Sequence, residues 1–150
     1  LITQVAGRAG RGDSPGMVIV QTHAPDHYAV RAACAHDFEA FAQREMDERR
    51  EVGFPPFLRL VLVELAAEDR DAVMTRSEEA AAYLLEHVPR GTDVLGPVEA
   101  PIARIRGRHR FHILVKTAAS AQLRPVLRGF MQAFQGPGTL IVDVDPVDMM

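Results

Sequence analysis

The sequence predicts an α/β protein of the α+β kind. A β-α-β-β-α-β domain is expected over residues 57–150, after the end of another mixed domain (residues 1–35) and a helical connector (36–56). Three observations lead there. From residue 57 on, short strand-like runs alternate with two stretches whose apolar residues recur at helical spacing. A double proline in Gly53-Phe54-Pro55-Pro56-Phe57 breaks the chain just ahead of them, because two prolines exclude regular helix and force extended backbone. Finally, 150 residues with 47% hydrophobic and 25% charged content suffice for one full core and part of a second.

Residues 1–16 are rich in glycine and arginine and carry no period. Residues 17–22, Met-Val-Ile-Val-Gln-Thr after Pro15-Gly16, predict a buried strand following a turn. Residues 29–35 predict a short helix, and Asp37 is placed to cap a longer one reaching about Arg50. That helix turns Phe38, Phe41 and Met46 to one side and Glu39, Arg44, Glu45, Asp47, Glu48 and Arg49 to a solvated one. Beyond the prolines, residues 57–66 form a strand whose centre is almost unbroken apolar sequence, as in a strand buried on both faces. Asp69 caps a helix with Val73, Ser77, Ala80, Ala81, Leu84 and Val88 on one stripe, stopped by Pro89 and Gly91.

Residues 93–99 predict an edge strand, since Gly96-Pro97 interrupts it. Residues 111–116 predict another, with Phe111, Ile113 and Val115 on one face. A helical stripe of Leu123, Leu127, Phe130, Met131 and Phe134 follows Ser120, with regular structure expected to start near Pro125. Gly136-Pro137-Gly138 ends it, and Leu140, Val142 and Val144 alternate in a last strand. The order is that of split β-α-β, ferredoxin-like folds: one antiparallel sheet with both helices on one face.

The single cysteine, Cys34, excludes an internal disulfide and is read as a partly buried, inert thiol in a cytoplasmic chain. No apolar run approaches bilayer length. The chain opens on Leu1-Ile2-Thr3 without methionine, as a piece of a longer protein would. A net charge of −3 excludes a uniformly basic nucleic-acid binder, yet the charge is segregated. Residues 36–100 carry 7 arginines against 15 acids, −8, and residues 101–150 carry 7 basic residues against 3 aspartates, +4. A local patch of that kind can steer an anion.

The most specific string is Gln4-Val5-Ala6-Gly7-Arg8-Ala9-Gly10-Arg11. Gly7 and Gly10 let the backbone pass close to another surface, and Arg8 and Arg11 present two guanidinium forks suited to triphosphate oxygens. The string resembles motif six of superfamily-two helicases, Q-x-x-G-R-x-G-R, in the second RecA-like lobe. That resemblance implies Arg8 and Arg11 as phosphate-contacting residues, Arg11 as arginine finger, and Gln4 and Gly7 beside the nucleotide.

Later strings narrow the resemblance. Gln21-Thr22-His23-Ala24-Pro25-Asp26-His27, the Phe54-Pro55-Pro56-Phe57 break, Val94-Leu95-Gly96-Pro97 and Asp143-Val144-Asp145-Pro146 stand in the order seen in the primosomal protein N′ (PriA) family. The similarity runs over essentially the whole chain. It implies the C-terminal end of an ATP-dependent 3′→5′ DNA helicase that restarts replication at stalled forks, with the end of the second helicase lobe and a DNA-binding tail domain of ribosomal-protein-like fold. It also implies forked and single-stranded DNA, primosome proteins and single-stranded DNA-binding protein as partners. ATP, Mg²⁺ and zinc would belong to the intact bacterial protein. The lysine loop and paired zinc cysteines are absent from these 150 residues, so the piece alone is expected neither to hydrolyse ATP nor to hold zinc. Another superfamily-two motor with an unrelated tail stays open, as does a non-motor module binding nucleic acid or a ligand.

The second candidate site is Ala103-Arg104-Ile105-Arg106-Gly107-Arg108-His109-Arg110-Phe111. In an extended hairpin, alternation puts Arg104, Arg106, Arg108 and Arg110 broadly on one side unless Gly107 turns the chain. An arginine row suits a phosphate backbone, and His109 or Phe111 can stack on a base. Lys116, Arg124 and Arg128 would extend the patch. Asp143 and Asp145 share a strand face and are read as exposed rather than metal-binding, and His23, His27 and His36 fit no tight metal site.

Overall fold

The structure is a computed structural model that describes residues 2–7, 9 and 16–147. The chain forms two compact units, Leu1–Val52 and Gly53–Met150.

Among the described residues the first unit has three helices: α1 (Ile2–Ala6), α2 (Tyr28–Ala35) and α3 (Phe38–Val52). Local bonds define their ends. The His27 ring accepts the Ala29 N–H at 3.3 Å to start α2, and His36 ends it in the left-handed region, φ 55°. Asp37 then accepts the Ala40 N–H at 2.9 Å, the expected cap of α3. The polar face of α3 is laced by Arg44–Glu48, Arg49–Glu45 and Arg50–Asp47 pairs, neighbours because three or four residues complete a turn. Tyr28 donates its hydroxyl to Glu45 at 2.5 Å, and that bond pushes the phenol up to about 12. Phe41 and Met46 are half-buried, but Phe38 is 75% exposed.

Two expectations fail in this unit. Residues 17–22 form no strand, and Met17 and Ile19 are more than four-fifths exposed. A strand needs a neighbour for its backbone N–H and C=O groups, and the described residues of this unit offer none. Cys34 is exposed rather than partly buried, because it sits on the outer side of α2.

The second unit has the predicted order: β1 (Arg59–Ala67), α4 (Arg70–His87), β2 (Asp93–Ile105), β3 (Arg108–Thr117), α5 (Ser120–Ala133) and β4 (Thr139–Val144). The strands lie in the order β2-β3-β1-β4, every neighbouring pair antiparallel. Register brings Val61 opposite Val115, Val63 opposite Ile113 and Leu65 opposite Phe111, so these side chains share one face. Val73, Ala80, Ala81 and Leu84 of α4 and Leu123, Leu127 and Phe130 of α5 close over that face to form the core. Each large apolar side chain buried there contributes about 1.5–3 kcal/mol. Asp69 caps α4 as expected, accepting the Ala72 N–H at 3.0 Å.

Three further departures concern α5, β2 and Asp145. Helix α5 starts at Ser120 and runs through Pro125 instead of beginning there. The proline costs one backbone bond near the helix start, and burial of Leu123 on one side of it and Leu127 and Phe130 on the other offsets that loss. Strand β2 passes Gly96-Pro97 and continues to Ile105, with register shifts between Leu95 and Val98 and between Glu99 and Arg104. It is an edge strand, hydrogen-bonded only to β3, so the irregularities break no second ladder. Asp145 does not share a strand face with Asp143. It lies just past β4 at φ 54°, where its carboxylate accepts the Leu60 N–H and pairs with Arg59.

Candidate nucleic-acid interface

The face of the sheet turned away from the helices carries Glu64 of β1 and alternate residues of β3. On β3 these are the even-numbered positions, from Arg108 and Arg110 through His112 and Leu114 to Lys116, since Phe111, Ile113 and Val115 point into the core. The β2–β3 hairpin closes through Arg106 (φ 49°) and Gly107 (φ 83°). Two successive positive φ angles give a tight turn whose twist matches that of the strands it joins.

This turn splits the arginine row. Ile105 stands opposite Arg108, and Arg104 opposite His109. Cross-strand partners share a face, so Arg108 and Arg110 lie on the side away from the helices while Arg104 and His109 lie on the other. The expectation of one row on one side is corrected accordingly: with Gly107 in a two-residue turn, positions 104 and 108 fall on opposite faces. Arg106 occupies the tip.

The arginines also differ in what they touch. Arg108 donates to the Thr139 hydroxyl at 3.0 Å, and the Arg104 side chain donates to the Gly107 carbonyl at 3.3 Å. Arg104, Arg106 and Arg108 are all exposed. Arg110 is not: its side chain is 11% exposed and donates to Glu64 at 2.6 Å and to the Ile102 carbonyl at 3.2 Å. Glu64, 12% exposed, also meets the His112 ring at 3.0 Å. Burial pushes the Glu64 carboxyl up, but the hydrogen bonds and charges of Arg110 and His112 outweigh it and hold it below the ordinary carboxylate value. The same bond raises Arg110 further.

Between the hairpin and the sheet lies an open groove of about 610 Å³, lined by Arg106, Arg108 and Arg110, by Glu64 and Glu68, and by Thr139. Two exposed guanidinium groups in its lining suit a phosphate oxygen, while Glu64 is taken up by Arg110.

Several of the residues expected to meet DNA fall outside this groove. Phe111 is 3% exposed within the core, under the Arg70 guanidinium at 5.9 Å from the ring centroid, so it has no free face for a base. Lys116 stands six residues along β3 from Arg110, about 20 Å at strand spacing, with its ammonium 5.7 Å from the Phe54 ring. Arg124 and Arg128 ride on α5, which covers the other face of the sheet. None of the three extends the groove. His109 is half-exposed and remains near the tip. Sequence reasoning missed Glu64 and Thr139. A lone acid in the run Leu60-Val61-Leu62-Val63-Glu64-Leu65 was a visible signal for the first, and nothing local marked the second.

In the first unit, Gln4 is exposed on α1, and Gly7 closes it with an N–H to the Thr3 carbonyl at 3.0 Å. Arg8 and Arg11 lie outside the described residues. Among the described residues no group of three or more His, Cys, Asp or Glu side chains stands close enough to hold a metal ion, and no helix is long and apolar enough to cross a membrane.

Comparison with known proteins gives the family. The family described as "Primosomal protein N C-terminal domain" matches residues 50–147. The "Replication restart protein PriA" of Bacillus subtilis (strain 168) is 38% identical over 155 residues, covering 100% of this chain and 19% of that protein. The protein of the same name from Treponema pallidum (strain Nichols) is 38% identical over 152 residues, covering 100% of this chain and 23% of its own length. The one from Synechocystis sp. is 35% identical, covering 99% and 18%. The chain thus spans about a fifth of the length of the relatives it matches.

Proposed function

The chain belongs to the primosomal protein N C-terminal domain family, and from that premise we propose that it is the C-terminal portion of a replication-restart DNA helicase whose sheet domain grips DNA through the phosphate backbone. The observation that carries the reading is the groove at the β2–β3 hairpin, where Arg106 and Arg108 stand exposed beside Thr139 in a segment free of acids from 101 to 142. Exposed arginines at a hairpin tip suit phosphate oxygens, and buried Phe111 removes the one large aromatic of the hairpin that a base-stacking mode would use. Forked or single-stranded DNA is the fitting partner, since a helicase meets both. Primosome proteins and single-stranded DNA-binding protein would be further partners of the intact protein.

In that protein, ATP and Mg²⁺ serve the motor, zinc belongs to segments not included in these 150 residues, and the site of action is the cytoplasm, at replication forks. Gln4, Gly7, Arg8 and Arg11 supply the nucleotide-facing string, with Arg11 as the arginine finger. Arg11→Ala in the intact helicase should abolish DNA-stimulated ATP hydrolysis while fork binding persists; normal turnover would remove that role.

The hairpin is tested by replacing Arg104, Arg106 and Arg108 together with alanine and titrating forked DNA by fluorescence anisotropy at several salt concentrations. Binding should weaken, and the dependence of log affinity on log salt should flatten by about 0.7–0.9 for each phosphate that is no longer neutralised. Unchanged affinity and slope would place the DNA elsewhere.

A further inference from the structure

A carboxylate in the middle of an apolar strand is costly, by several kcal/mol, unless it is paired. Glu64 is paired, and its partners reach well beyond β1. Its Oε2 accepts from Arg110 Nη2 at 2.6 Å and meets His112 Nε2 at 3.0 Å. Arg110 Nη1 in turn donates to the Ile102 carbonyl at 3.2 Å. Ile102 lies where β2 loses register with β3, between Glu99 and Arg104. Past that break only two cross-strand pairs, Arg104 with His109 and Ile105 with Arg108, hold the hairpin tip as a ladder. One strand of the tip is therefore joined to the sheet through an irregular stretch, and the Glu64–Arg110–Ile102 chain of hydrogen bonds spans that stretch.

We propose that Glu64 is a positioning residue for the basic hairpin: by holding Arg110 against the Ile102 carbonyl, it sets the pose in which Arg106 and Arg108 meet a nucleic-acid backbone. The inference rests on the DNA-binding reading above. Its sign separates it from plain electrostatics. As a charge alone, Glu64 lines the groove and repels an anion, so neutralising it should tighten binding. Freeing Arg110 from its carboxylate partner would add a cation to the groove and push the same way. As a positioning group, its loss lets the tip sample other poses, and DNA must then order the arginines itself.

The test is Glu64→Gln in the intact chain, with forked-DNA affinity and amide hydrogen exchange measured together. Affinity should fall about three- to tenfold, the cost of ordering one or two long side chains on binding. Exchange at residues 104–109 should accelerate while the central amides of β1 and β3 keep their protection. Unchanged or tighter binding overturns the proposal, and so does acceleration spread over the whole sheet, which would mark Glu64 as a support of the fold alone. Glu64→Asp keeps the charge and shortens the reach by one methylene; it should give a smaller loss, and it decides the matter if Glu64→Gln does not fold. A triple arginine variant that binds like the wild type sinks the DNA reading itself. A loss in that variant with none in Glu64→Gln sinks only the positioning role.

Discussion

The helices of Leu1–Val52 bury none of their residues, whereas those of Gly53–Met150 bury Val73, Ser77, Ala80, Ala81 and Leu84 on α4 and Leu123, Leu127 and Phe130 on α5. Both units contain a helix capped by an aspartate, with apolar residues at helical spacing. The difference lies in what the apolar stripe meets. In the second unit a four-stranded sheet presents Val61, Val63, Leu65, Phe111, Ile113 and Val115 as one continuous surface. In the first, α3 carries eight charged residues among fifteen and is held by caps, ion pairs and the Tyr28–Glu45 bond. Local signals are enough to start and stop a helix. A core needs a second layer.

Substitutions can break or sharpen that contrast. The largest effect is expected from Phe130→Ala, which empties a fully buried ring site against Tyr83 and Phe134. It should cost about 3–5 kcal/mol, read as a lowered urea midpoint for the sheet unit; a loss below about 1 kcal/mol would mean the core repacks freely. Asp69→Ala should cost about 1 kcal/mol and lower the same transition, because α4 is part of that core. Asp37→Ala removes the same kind of bond from α3, but its effect should be smaller and confined to faster amide exchange at residues 38–41. Exchange there at the wild-type rate would contradict the view that local caps hold α3.

Most elements of the second unit were legible because burial there follows pattern. The alternation at 111, 113 and 115 and the stripe from Val73 to Leu84 each point at one surface, and each is buried where expected. The misreadings share a cause. Residues 17–22 look like a strand because they are apolar, but a strand is completed only by a neighbour. Pro125 looks like a helix start because its local cost is real, yet buried residues on both sides outweigh it. Phe111 reads both as a stacking ring and as a core residue, and only the pairing of β3 with β1 chose the core.

The candidate site was half legible. The run of arginines without acids is a feature of composition, and it survives as the groove at the hairpin. Which arginines share a face depended on the two-residue turn at Arg106-Gly107, since one residue more or less would have reversed the side of Arg104. That Arg110 is paired with Glu64 within the groove could not be read at all, because the two stand 46 positions apart.

By itself the sequence determined the order of strands and helices in the second unit, the caps at Asp37 and Asp69, the segregation of charge and the family to which the chain belongs. These are properties of neighbours along the chain, where backbone periodicity and short-range hydrogen bonds act. Only the tertiary structure decided which arginines are exposed, which one is committed to a buried carboxylate, and that Phe111 is closed to a ligand. Those outcomes depend on strand register and burial, which bring distant residues within a few ångströms and make a charge's partner matter more than its place in the sequence.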